Sequence, residues 1–72
     1  MVERAKIHKT LLNLKSALRD EKKGENFYVK CAEIAKTEGL SSAAEFFRNA
    51  AKDEKRHVAE IESILYINLI VF

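Results

Sequence analysis

Apolar residues in the first half of the chain recur at alternating steps of four and three: Ile7, Leu11, Leu14, Leu18, then Tyr28, Ala32 and Ala35. That spacing keeps them on one side of an α-helix. The pattern breaks at Glu38-Gly39-Leu40-Ser41-Ser42 and resumes with Ala43, Phe47, Ala50, Ile61 and Ile64. A glycine suits the left-handed position that closes a helix, and Ser42-Ala-Ala-Glu45 has the spacing of a capping box that opens the next. The pattern therefore predicts an all-α single domain over residues 1–72: a helix over about 3–37, a turn at 38–42 and a helix over about 43–68. At about 1.5 Å per residue the helices span roughly 50 and 40 Å and fold back as an antiparallel hairpin.

Continued across its gaps, the same rhythm lands on Glu21 and Glu25 in the first helix and on Glu54 and His57 in the second. An unpaired carboxylate in an apolar seam is costly, so several ionisable groups at matching levels point to a shared cation. Glu21 lies 18 residues before Gly39 and Glu54 lies 15 after it, which brings the two to the same height in a hairpin. Glu54-x-x-His57 sets a carboxylate and an imidazole three residues apart on one helix face, and Glu21 adds a third donor from the neighbouring helix. Three side chains enclose a metal poorly. A two-fold partner doubles them to four carboxylates and two histidines, the donor complement of a dinuclear carboxylate site. Oxygen-rich ligation with one nitrogen per metal suits iron, or manganese, better than structural zinc. The expected cofactor is two iron ions per dimer.

Composition narrows the alternatives. Seventy-two residues with one cysteine, Cys31, cannot hold an intrachain disulfide or a Cys-x-x-Cys site, so a metal or an oligomer must complete so small a core. A single cysteine also fits a reducing, cytoplasmic setting. No proline, two glycines and 33% charged residues are the profile of long helices. The net charge of +2 comes from interleaved signs, as in Asp53-Glu54-Lys55-Arg56, so nucleic acid is not an expected partner. Residues 1–18 mix charges throughout, which argues against a signal peptide or a membrane-spanning helix.

From about Leu14 to Ile64 the sequence resembles the rubrerythrin branch of the ferritin-like superfamily. The resemblance rests on Ala17-Leu-Arg-Asp-Glu21, Tyr28 seven residues on, Ala35-Lys-Thr-Glu-Gly39 and Ala51-Lys-Asp-Glu54-Lys-Arg-His57. It implies a hairpin that pairs with a second copy into a ferritin-like four-helix bundle, as a homodimer or larger even-numbered assembly. It further implies that Glu54 bridges two metals, that Glu21 and His57 are terminal ligands, and that Tyr28 donates a hydrogen bond to a ligating carboxylate. The implied activity is that of a non-haem di-iron oxidoreductase reducing peroxide or dioxygen. Rubrerythrins carry two hairpins per chain and usually a cysteine-rich rubredoxin domain; with one hairpin and one cysteine here, electrons must come from a separate donor. In architecture the chain also resembles encapsulated ferritins, which makes ferrous oxidation and iron storage the competing activity.

Blander roles stand beside these. Glu25 either ligates or pairs with Lys22 and Lys23 at the surface, and Tyr28 either packs or hydrogen-bonds to the site. Gly24, one turn from Glu21, marks close helix approach, room for an exogenous ligand or plain tolerance. Cys31 reads as a packing residue and His8 as solvated. The apolar run Ile64-Leu-Tyr-Ile-Asn-Leu-Ile-Val-Phe72 is too short to span a bilayer and is expected to be buried in an oligomer. Without a metal, Glu21, Glu54 and His57 would instead form a polar network fixing the register of a helical oligomerisation module.

Overall fold

The structure, a computed structural model, describes the backbone of residues 4–71 and the side chains of residues 9–67. It consists of two helices, α1 (Arg4–Thr37) and α2 (Ser41–Val71), which lie antiparallel against each other in a rod about 56 Å long and 15 Å by 12 Å across. Neither helix is long and apolar enough to cross a membrane among the described residues. The side chains of Ile7 and His8 and those of residues 68–72 in the apolar run lie outside the described residues.

Gly39 makes the turn, with φ of +78°, a conformation that costs any residue with a Cβ. The Gly39 amide donates to the Lys36 carbonyl at 3.1 Å and the Leu40 amide to the Ala35 carbonyl at 2.9 Å, so both are used to close α1 in a Schellman motif. The Leu40 carbonyl already accepts from the Ala44 amide at 2.9 Å. Leu40 is therefore the entry residue of α2, and the helix starts at Ser41, two residues before the Ala43 expected from a capping box at Ser42. With Ser42 inside the first turn, that box is not formed; the Schellman turn leaves no residue for a longer connection.

The seam between the helices is lined by small residues. Ala32 and Ala35 of α1 and Ala44, Ala51 and Val58 of α2 are buried, with no side chain larger than valine among them. On α2 the sequence pattern picks out a neighbouring line, Ala43, Phe47, Ala50, Glu54, His57 and Ile61, which is only half-buried. Adjacent residues on a helix point about 100° apart, so α2 carries two inner lines. One packs on α1; the other faces the edge of the seam. Ile64, expected in the stripe, is 43% exposed, and Leu65 is turned further inward because the line Val58–Ile61 continues by a step of four.

Candidate metal centre

Three of the four residues singled out as ligands converge. One donor atom each from Glu21, Glu54 and His57 lie within 4.8 Å of one another, all half-buried, midway along the rod. The spacing of Glu54 and His57 on α2 puts them on one face, and the tight turn at Gly39 fixes the register that brings Glu21 across to them. His57 Nδ1 lies 3.3 Å from Glu21 Oε2, with the two side chains 40% and 29% exposed. Glu25 is half-buried but stands outside the cluster, and Lys22 pairs with Glu62 at 3.8 Å.

The two carboxylates lie close enough to share a hydrogen bond when one of them is protonated, and this separates their affinities for protons. The bond from Glu54 holds Glu21 below the ordinary carboxylate range, partly opposed by desolvation and helped by the His57 imidazole. The same bond, with desolvation and the negative charge of Glu21, raises Glu54. One lowered and one raised carboxylate is what two like charges at close range produce.

Gly24 sits directly against this pair. A Cβ there would lie 3.1 Å from Glu54 Oε2 and 3.2 Å from its Cδ. The glycine thus makes a notch in α1 that the Glu54 carboxylate occupies, which is the close-approach role among those open from the sequence. The signal was visible as a glycine inside a long helix one turn from Glu21, but its partner was not.

Tyr28 stacks on Phe47, ring centroids 6.3 Å apart and planes 25° apart, and meets Phe27 edge-on at 5.5 Å. It lines an open recess with Phe46, Asn49, Ala50, Asp53, Glu54 and His57. Phe46, Asn49 and Asp53 were not picked out from the sequence as part of the site. Their signal was the series Phe46, Asn49, Asp53, His57, which runs in steps of three, four and four on the site's side of α2.

A model of the rubrerythrin family, described simply as Rubrerythrin, matches residues 13–66, most of the chain and all of the cluster. The chain belongs to the rubrerythrin family. Rubrerythrins are di-iron proteins of ferritin-like fold, and iron binding is thereby implied for this member. No curated protein and no solved structure matches the chain. The donors present fit the implied metal. Two carboxylates and an imidazole are hard-to-borderline ligands of the kind iron takes, they converge without any competing lysine or arginine among the three, and the Gly24 notch accommodates the carboxylate that must reach between the helices. The hairpin supplies three donors, and the cluster remains open to one side.

Proposed function

We propose that two copies of this hairpin pair into a four-helix bundle whose centre holds two iron ions, and that the assembly reduces peroxide or dioxygen. The observation that carries the reading is the convergence of Glu21, Glu54 and His57 at mid-length with a third or so of their surface still open. Three donors with an open side suit half of a site, and a two-fold partner supplies the other half. Manganese fits the same donors and is the alternative occupant.

In this reading Glu21, Glu54 and His57 would hold the metals, Glu21 and His57 as terminal ligands and Glu54 as the bridging one, the roles that the family resemblance implies. Bound there, a pair of ferrous ions supplies the two electrons needed to cleave the O–O bond of peroxide. The chain's residues do the rest. Glu54, whose carboxyl is raised, would bind a cation beside Glu21 in competition with a proton. Tyr28 and Phe46 line the recess beside the ligands, with Phe47 stacked on Tyr28, and the Tyr28 hydroxyl is a polar group there together with Asn49 and Asp53. No metal-independent nucleophile is needed, and Cys31, half-buried and free, takes no part.

A reductase and a storage ferroxidase are separated by what accumulates. Iron-loaded protein given peroxide and an external reductant should turn over repeatedly with its iron content constant. Continuous uptake of ferrous iron into a growing ferric product, without reductant-dependent turnover, would establish the ferroxidase activity instead.

A further inference from the structure

The face of the hairpin opposite the metal-side recess carries a second groove. Its floor is Val29, Ala32 and Ala51, and its rim carries Lys36, Arg48 and Lys52 against one carboxylate, Glu33. Tyr28 and Val29, and likewise Ala50 and Ala51, are neighbours in sequence that open to the two different grooves, since successive helix residues diverge by about 100°. A second copy that covers the ligands through the first groove leaves the second one facing outward.

Its charge is not neutralised within the hairpin. Arg56 is satisfied by Asp53 at 4.0 Å and Glu60 at 3.2 Å, and Lys22 by Glu62. Among the described residues no carboxylate forms an ion pair with Lys36, Arg48 or Lys52. A second copy would bring the same excess of cations to this groove and be repelled, so self-association through it is disfavoured. An apolar floor of limited area with an unneutralised cationic rim suits a small acidic partner held in a brief, electrostatically steered encounter, the regime of redox complexes.

The position gives such an encounter a purpose. Ala51 in the floor precedes Glu54 by three residues, less than one turn of α2, so a partner seated there lies close to the metal centre without entering it. We propose that this groove docks an acidic one-electron carrier protein that supplies the electrons for the reduction, an inference that rests on the reductase reading above. Each peroxide takes two electrons and two protons and yields two waters, and two molecules of reduced carrier are each oxidised by one electron.

The test uses a plant-type ferredoxin as the acidic carrier and the full chain labelled with nitrogen-15. Ferredoxin should broaden the amide signals of residues 29–36 and 48–52 at low ionic strength, and the effect should vanish near 1 M salt, where the screening length falls to about 3 Å. Arg48→Glu combined with Lys52→Glu should abolish the broadening. In iron-loaded protein the same variant should lose about tenfold or more of its ferredoxin-driven peroxide reduction while keeping its dithionite-driven rate and iron content. Broadening confined to the surroundings of Phe27 and Phe46, no broadening, or a ferredoxin-driven rate unaffected by the double reversal would overturn the groove assignment. Failure of wild-type protein to reduce peroxide even with dithionite would instead remove the reductase reading, and the donor assignment with it.

Discussion

Glu21 is held below and Glu54 above the ordinary carboxylate range, and cation binding and proton binding compete at the same pair. Glu54 is the raised member and keeps its proton to higher pH than a free glutamate. Lowering the pH through and just above the ordinary carboxylate range should therefore weaken ferrous or manganous binding, and raising it should restore binding, with protons released on loading into weakly buffered solution. Affinity that does not change with pH across that range would contradict this competition. For folding of the metal-free chain the two groups act in opposite senses. The lowered Glu21 stabilises the fold above its unfolded value and loses that as pH falls through its folded value, while the raised Glu54 stabilises it in acid and loses that as pH rises through its folded value. Gly24 divides two effects at one position. Gly24→Ala adds helix propensity of about 1 kcal/mol, and the group it displaces is the flexible end of Glu54 rather than backbone. The metal-free chain should melt at higher temperature in this variant, and a lower melting point would show that the notch is rigid. Glu21, Glu54 and His57 were legible because polar residues fell on an apolar rhythm at matching distances from a glycine. Glu25 shared that rhythm and is not in the cluster, because continuing the rhythm marks a stripe two residues wide and does not say which of them meets the neighbouring helix.

At the scale of elements, the hairpin depends on a tight turn and a narrow seam. Gly39 is the only described residue with positive φ, and Gly39→Ala should cost about 1–2 kcal/mol, read as a shift in chemical or thermal unfolding without loss of helix content. Ala44, 1% exposed, has no room for a larger side chain, and Ala44→Leu should destabilise by about 1–3 kcal/mol through overpacking. A neutral outcome for Ala44→Leu would mean that the helices are not held at alanine distance. The helices and their order could be read from the sequence because periodicity, helix-forming composition and one glycine agree. The start of α2 could not, since Ser42 has the spacing of a cap and only the hydrogen bonds to Ala35 and Lys36 show that the chain turns before it. Nor could the division of labour between Ala44–Ala51–Val58 and Ala43–Ala50–His57, since both lines are apolar at helical spacing and only the neighbour's position decides which is buried first.

As a whole molecule the hairpin leaves much apolar surface open, including Phe27 at 60%, Ile34 at 59% and Phe46 at 65% exposure. A buried set of four alanines and one valine is a slender core for a chain below about 70–80 residues, the size range that depends on staples or partners. Phe46 borders the recess that holds Glu54 and His57, so the apolar face and the incomplete ligand set share one side of the molecule. Pairing through that side would bury the aromatics and close the metal site together, and Phe46→Glu should shift the protein from dimer to monomer in sedimentation while lowering iron content.

The most direct test of the shared centre is elemental iron per chain after anaerobic ferrous loading, measured together with solution mass for wild type and Glu54→Ala. The account predicts about one iron per chain in a dimer or larger even-numbered assembly, lost in the variant. Metal-free wild-type protein whose assembly is unchanged by Glu54→Ala would contradict it and leave Glu21, Glu54 and His57 as a polar network within a helical module.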